Sequence, residues 1–159
     1  MVDVGRWVLL AYRVPREPSA PRLAVWRRLR GLGVAQLLDG LVALPLDSRN
    51  REQLEWVAEE VIEHGGEATV WIAQPATARE ERELAARMRD RITGEYRAVI
   101  AEAGAAAADG TRRHRRTLAR LRRELGRIGR RDYVPPPERE RAREAVEALA
   151  RALEVEATA

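Results

Sequence analysis

The chain has 159 residues, of which 34% are charged and 4% aromatic, with a formal net charge of +4 and no cysteine. A chain without cysteine has neither disulfide bonds nor thiolate metal sites. No apolar run approaches the ~18 residues of a membrane-spanning helix, and the amino terminus lacks a basic-then-apolar signal sequence, so we expect a cytoplasmic protein without membrane contact.

The first predicted element is a strand that follows a loose leader at residues 1–5. Residues 7–12 form a continuous aliphatic and aromatic run that is too short for a buried helix. Two prolines, at positions 15 and 18, then end the strand, because proline lacks a backbone donor and favours extended geometry in the preceding residue.

A helix is predicted from Ala20 to about Arg30, with Ser19 as its N-cap. The apolar residues at spacings of three predict that its buried face carries Leu23, Trp26 and Leu29. Arginines occupy much of the remaining surface of this helix.

A hairpin, a second helix and a fourth strand complete the first half. The Asp39-Gly40 pair between two apolar runs, 34–38 and 41–45, favours a tight turn between paired strands. A helix is predicted over 49–64, with Asp47 or Ser48 as its N-cap, and a strand over 67–73. The predicted buried stripe of this helix is Leu54, Val57, Ala58, Val61 and Ile62. The order strand, helix, strand, strand, helix, strand is that of an α+β, ferredoxin-like βαββαβ sandwich, whose open sheet face favours a homodimer.

From residue 77 onward the pattern is helical, so we divide the chain into a domain over 1–76 and a three-helix, arginine-rich extension over 77–159. Thr77 with Glu80 forms a capping-box pattern at its start. Three apolar stripes predict helices to about residue 107, over 111–130 and over 138–156. Their inward residues are predicted to be Leu84, Met88, Ile92, Val99, Ala103, Leu118, Leu121, Leu125, Ile128, Ala142, Val146, Leu149 and Leu153.

The basic charge of the chain is concentrated in the middle helix of this extension. Residues 111–131 contain ten arginines and one acid, a local net charge of +9, which leaves −5 for the rest of the chain. A row of cations on one helix face suits the phosphates of double-stranded DNA. No aromatic residue interleaves with them, which argues against single-strand stacking. The predicted DNA-binding residues are Arg113, Arg116, Arg120, Arg123, Arg127 and Arg130.

A solvated basic face is the alternative interpretation of this helix. Acidic residues elsewhere in the extension could pair with its arginines and neutralise them within the bundle. The candidate partners are Glu80, Glu81, Glu83, Glu138, Glu140 and Glu144.

A series of short motifs runs in order through the first half: Val14-Pro15, Pro18-Ser19, Arg22, Trp26-Arg27-Arg28-Leu29, Leu32-Gly33, Asp39-Gly40, Leu44-Pro45, Gln53-Leu54-Glu55 and Gly65-Gly66-Glu67-Ala68. Together these motifs resemble the amino-terminal domain of the ChrB chromate-resistance regulators. The resemblance covers about residues 6–76. It implies a DNA-binding repressor of a chromate-efflux operon that responds to chromate, with a fold similar to phenylacetate-type repressors and Cas2 proteins.

A second basic group lies around the first turn and the start of the first helix. Guanidinium groups beside a helix amino terminus could hold a small dianion such as chromate. The alternative is that Arg13 pairs with Glu17 or with a neighbour in the sheet. The predicted oxyanion-binding residues are Arg13, Arg16, Ser19 and Arg22.

An enzymatic function is not expected. Cas2-type nucleases carry an acidic metal ligand at the end of their first strand, where this chain has Tyr12 and Arg13, and a positive side chain opposes a divalent metal. We predict no metal and no cofactor. The leading hypothesis is a dimeric transcription regulator, and the alternatives are an accessory or interaction protein, or a chromate-binding sensor without DNA contact.

All four tryptophans are interpreted as core and interface residues: Trp7, Trp26, Trp56 and Trp71.

Overall fold

The computed structural model describes residues 3–109 and 114–158, and it does not describe the side chains of residues 3 and 4. The chain divides into two compact units after Met88, a residue that lies inside a long helix. The elements are β1 Asp3–Arg13, α1 Ser19–Leu32, β2 Ala35–Leu38, β3 Leu41–Leu46, α2 Ser48–Glu63, β4 Glu67–Ala73, α3 Ala78–Asp109, α4 Arg115–Arg130 and α5 Glu138–Thr158. Within the described ranges, no helix is both long and apolar enough to cross a membrane.

The first unit contains a four-stranded antiparallel sheet in the order β2-β3-β1-β4. The strand β1 lies inside the sheet and pairs with β3 on one side and with β4 on the other. It begins at Asp3, which is opposite Leu46, so the prediction of a loose leader is wrong for residues 3–5. β1 pairs with β3 at Asp3 and again from Trp7 onward, with a shift in register between the two. This pairing orders residues 3–5.

The helices of the first unit bury apolar stripes, but α1 does not bury the predicted one. Val25 and Leu29, four residues apart, are buried, whereas Leu23 and Trp26 are each 45% exposed. The prediction was right for Leu29 and wrong for Leu23 and Trp26, because residues four apart form the stripe that closes on the core. The buried stripe of α2 is Leu54, Val57, Ala58 and Val61, as predicted, and Ile62 is exposed against expectation.

Only one of the four tryptophans belongs to the core. Trp7 is 1% exposed, while Trp26, Trp56 and Trp71 are about half exposed. The core therefore uses smaller aliphatic residues, and a core role for these three tryptophans was wrong. An interface role for them stays a prediction.

Two of the three helix starts that the sequence marked carry the expected caps, whereas Ser19 does not cap α1, whose N-cap is Pro18. The carboxylate of Asp47 accepts a hydrogen bond of 2.7 Å from the backbone of Asn50 at the start of α2. Before α3, Thr77 and Glu80 exchange hydrogen bonds through both side chains, which confirms the capping box. These bonds satisfy backbone N–H groups that have no partner inside the helix.

The second unit is built from the later part of α3 with α4 and α5, around one apolar cluster. The predicted stripes of all three helices contribute to it. Tyr96, which is 1% exposed, is a large member of this cluster. It was not among the predicted inward residues. The buried members are Ile92, Tyr96, Val99, Ala103, Ala106, Leu121, Ile128, Ala142, Val146, Leu149 and Leu153.

Candidate anion cleft and arginine face

A cleft of about 800 Å³ opens in the first unit where β1 ends. Its walls come from the end of β1, the loop before α1, one face of α1, the β2–β3 turn and the start of β4. The lining residues are Tyr12, Arg13, Val14, Pro15, Arg16, Arg22, Trp26, Gln36, Asp39, Gly40, Gly65, Gly66 and Glu67.

Two glycines allow the loops to approach the end of β1. Gly40 has a φ of +78°, and a Cβ there would lie 2.4 Å from the carbonyl oxygen of Tyr12. The backbone N–H of Tyr12 donates a hydrogen bond of 2.8 Å to the carbonyl of Gly40. At Gly66, a Cβ would lie 2.3 Å from the carbonyl oxygen of Arg13. Larger residues would push both loops away from the strand and change the shape of the cleft.

The structure brings three of the four predicted oxyanion-binding residues to this cleft. Arg13, Arg16 and Arg22 all line it, although they come from a strand, a loop and a helix. Ser19 is not among the lining residues. It is the first residue of α1, where Pro18 occupies the N-cap position and no side-chain hydrogen bond caps the helix.

The three arginines differ in their ion pairing. Arg13 donates to Glu67 at 2.6 Å, directly across the β1–β4 pairing, as the sheet-neighbour alternative expected. Their side chains are 78% and 76% exposed, so this pair contributes little stability. Within residues 3–109 and 114–158, Arg16 and Arg22 take part in no ion pair. These two cations are therefore the ones available to a ligand.

Tyr12 adds a neutral hydroxyl group beside the cations. Burial raises the pKa of its phenol, the negative charge of Asp39 raises it further, and the positive charge of Arg22 opposes both effects. The hydroxyl therefore stays protonated at neutral pH and can donate a hydrogen bond. The charges of Asp39 and Arg22 both act on this group, which shows that the cleft contains charges of both signs.

Sequence reasoning missed Trp26, Gln36 and Asp39 as parts of this site. Trp26 was assigned to the core, yet it lines the cleft, with the guanidinium carbon of Arg30 5.1 Å from its ring centroid. The signal that could have identified it is the spacing of Arg22, Trp26 and Arg30, which places two cations and a ring on one helix face.

The second candidate site is the surface of α4. Leu121 and Ile128 are buried, and Leu118 and Leu125 pack against the same cluster, so the helix has one apolar side. Arg113 lies outside the described residues. The other five predicted DNA-binding residues are all exposed: Arg116, Arg120, Arg123, Arg127 and Arg130.

Part of this arginine face is neutralised by ion pairs, though not by the acids that we considered. Arg120 pairs with Glu102 of α3, and Arg127 pairs with Glu124 at 2.8 Å. Among the described residues, Arg116 and Arg123 form no ion pair. The face therefore keeps unpaired cations.

Three of the six acids considered as partners pair elsewhere. Glu83 pairs with Arg79 at 3.1 Å, and Glu138 pairs with Arg97 at 3.0 Å. Glu140 pairs with Arg143 at 2.9 Å, within α5. These pairs leave the net charge of α4 unchanged.

Comparison with known proteins assigns the family. A search of curated proteins and a search of solved structures both give no match. A family model described as "Protein ChrB, N-terminal" matches residues 22–158, which includes the helices α3 to α5 as well as most of the first unit. Because this match covers well over half of the chain, the protein belongs to the ChrB N-terminal family, which associates it with chromate resistance.

Proposed function

We propose that this ChrB-family protein is a transcription regulator linked to chromate resistance that binds double-stranded DNA as a homodimer. The observation that carries the proposal is the surface of α4. Residues 111–131 carry a net charge of +9. Leu121 and Ile128 of α4 are buried, whereas its arginines Arg116, Arg120, Arg123, Arg127 and Arg130 are exposed. The rest of the chain is net negative, so this helix concentrates the attraction for a polyanion.

The chemistry of the face suits the DNA backbone. Each guanidinium has a planar fork of donors that matches phosphate oxygens. Neutralising phosphates releases counterions, which makes the affinity steeply dependent on salt. Adenine edges are typically recognised by Asn or Gln, and α4 contains neither. Binding through this helix is therefore dominated by phosphate contacts.

The proposed homodimer uses the first unit, for which we propose a ferredoxin-like fold. The element order β1-α1-β2-β3-α2-β4 and the sheet order β2-β3-β1-β4 support that assignment. Trp71 is 58% exposed and lies directly across from Leu9 in the β1–β4 pairing. An exposed aromatic residue on a sheet face is a typical element of a protein interface.

The cleft at the end of β1 is the proposed site of the oxyanion response. Arg16 and Arg22 supply two cations without ion-pair partners among the described residues, and the Tyr12 hydroxyl is a neutral donor between charged groups. Charge-assisted hydrogen bonds from two guanidinium groups are the usual way in which proteins hold a small dianion. In this proposal chromate binding at the cleft changes the affinity for DNA.

A non-enzymatic accessory or interaction protein in the cytoplasm is the second candidate. The observation that favours it is the pairing of Arg120 with Glu102 and of Arg127 with Glu124, which shows that acids can satisfy this face. In that case, the unpaired arginines would contact an acidic protein rather than DNA.

Fluorescence anisotropy tests the DNA-binding proposal. The protein is titrated against a duplex of its own upstream region and against a scrambled duplex, at about 50 mM and about 200 mM salt, with and without chromate. We expect tighter binding to the upstream duplex and weaker binding in chromate. Replacing Arg116, Arg123 and Arg130, which form no ion pair among the described residues, with alanine should flatten the salt slope by about three, or one per phosphate contact.

A matched variant removes the same charge from another helix. Arg141, Arg143 and Arg151 are exposed residues of α5, and their replacement with alanine should leave the salt slope unchanged. If the protein binds both duplexes with equal affinity and high salt abolishes this binding, the proposal of a sequence-specific regulator is rejected. Equal effects of the two triple variants would remove α4 from DNA binding.

A further inference from the structure

The cleft at the end of β1 is much larger than an inorganic oxyanion. A tetrahedral anion such as chromate or phosphate occupies roughly 60 Å³, about the share of two water molecules in the liquid. The cleft measures about 800 Å³. That volume falls within the range of ~300–1,000 Å³ that is typical of sites for drug-sized ligands and cofactors. A bare oxyanion would leave most of the cleft to solvent.

The charges of the cleft also indicate that its ligand carries hydrogen-bond donors in addition to an anionic group. Asp39 lines the same cleft as Arg16 and Arg22 and, among the described residues, has no ion-pair partner. A bare dianion gains from the two arginines but is repelled by this carboxylate. A ligand that carries N–H donors as well as an anion can satisfy both signs of charge. The side-chain amide of Gln36, in the same lining, offers both a donor and an acceptor.

Trp26 provides a flat apolar surface in the cleft. It is 45% exposed, and it lies four residues from Arg22, on the same face of α1. Arg30 packs on its ring, which holds the indole in place from within the same helix. A half-exposed, supported indole beside a cation is the usual arrangement for stacking a planar ring that carries an anionic group.

We propose that the cleft binds a nucleoside phosphate. The base stacks on Trp26 and donates hydrogen bonds to Asp39 and Gln36, and the phosphate binds Arg16 and Arg22. This inference rests on the proposed oxyanion-binding role of these two arginines, and it extends that role from a bare anion to an anion carried on a base. Binding is non-covalent and requires no metal.

Isothermal titration calorimetry on the full chain tests the inference. The probes are AMP, GMP, CMP and UMP, with adenosine, inorganic phosphate and chromate as comparisons, all at one ionic strength. We expect at least one monophosphate to bind at least ten times more tightly than inorganic phosphate. Trp26→Ala should weaken that binding by between about fivefold and a hundredfold, as expected for the loss of one base stack. Trp26→Phe should keep most of the affinity, because it keeps a ring.

Matched variants separate the site from general effects. Trp56 is 46% exposed on α2 and does not line the cleft, so Trp56→Ala should leave nucleotide binding unchanged. Replacing Arg16 and Arg22 with glutamine should reduce monophosphate affinity to that of the nucleoside. The Arg116 and Arg123 variants of the α4 face should bind nucleotides normally, which excludes that surface as the nucleotide site. Circular dichroism confirms that each variant is folded.

The outcomes distinguish the two proposals. If chromate or phosphate binds as tightly as the monophosphates and Trp26→Ala has no effect, the nucleotide inference is overturned and the oxyanion role of the cleft stands. If neither the monophosphates nor the oxyanions bind, both roles of the cleft are overturned. DNA binding by α4 is measured separately and is unaffected by either result. An equal loss in Trp56→Ala and Trp26→Ala would also overturn the inference.

Discussion

The hydroxyl of Tyr96 donates a hydrogen bond of 2.8 Å to Oδ2 of Asp132 inside the helical unit. Tyr96 is 1% exposed, and the side chain of Asp132 is fully buried. A guanidinium nitrogen of Arg139 lies 4.0 Å from the same carboxylate oxygen, while Oδ1 of Asp132 has no hydrogen-bond partner among the described residues. This contact joins the middle of α3 to the segment between α4 and α5. The Tyr96 hydroxyl therefore supplies a hydrogen bond to a fully buried carboxylate.

Tyr96→Phe should lower the free energy of unfolding. The substitution keeps the ring but removes the donor, which leaves a buried carboxylate with one hydrogen bond fewer and costs about 1–3 kcal/mol. Urea denaturation followed by far-ultraviolet circular dichroism measures the change. Arg151→Ala, an exposed change on α5, should stay within about 0.5 kcal/mol of the parent protein. Equal effects of the two substitutions would contradict this role for Tyr96.

The same tyrosine should make the protein sensitive to alkaline pH. Burial raises the pKa of Tyr96 above its ordinary value of 10.0, and the hydrogen bond to Asp132 raises it further. Above pH 10.0 the unfolded chain loses this proton while the folded chain keeps it. Stability is therefore complete below this pH and falls above it, by up to about 1.4 kcal/mol per pH unit for this one group. Tyr96→Phe should show a shallower decline in urea titrations above pH 10; an unchanged slope would show that other groups cause the loss.

Gly40→Ala should destabilise the first unit and distort the cleft. The residue has a φ of +78°, and its Cβ would lie 2.4 Å from the main-chain oxygen of Tyr12. The strain is expected to cost about 1–3 kcal/mol. In contrast, Gly31→Ala in α1 meets no atom within 4 Å and should stabilise the protein by about 0.5–1 kcal/mol. Thermal or urea unfolding of both variants checks the prediction, which fails if the two substitutions have the same sign.

Glu102→Gln should strengthen DNA binding if the face of α4 contacts phosphates. Glu102 pairs with Arg120, so removing its charge frees one more cation on the face. The slope of log affinity against log salt should steepen by about 0.9, the value expected for one additional phosphate contact. Anisotropy titrations with the upstream duplex measure this slope. Glu140→Gln removes the same charge from the pair with Arg143 in α5 and should have no effect; an equal gain from both variants would indicate a general charge effect.

The elements with strong local signals could be predicted from the sequence. The leucines of α4 recur at spacings of three and four, and the structure buries Leu121 and Ile128 while exposing the arginines between them. The capping box of Thr77 and Glu80 and the cap at Asp47 also form as predicted. These features depend on residues within one or two helical turns of each other, so their physical cause is contained in the local sequence.

Only the tertiary structure decided which face of α1 is buried and where the cleft forms. Val25 and Leu29 face the core, so Trp26 is left half exposed and lines the cleft. Either face of α1 is apolar enough to be buried, and the choice depends on how the helix packs within its unit. Likewise, Arg13 pairs with a glutamate 54 residues away, and Tyr96 bonds to an aspartate 36 residues away. The sequence determined the charge of α4 and the order of the elements, while contacts between distant segments, which follow from packing and strand register, determined the site.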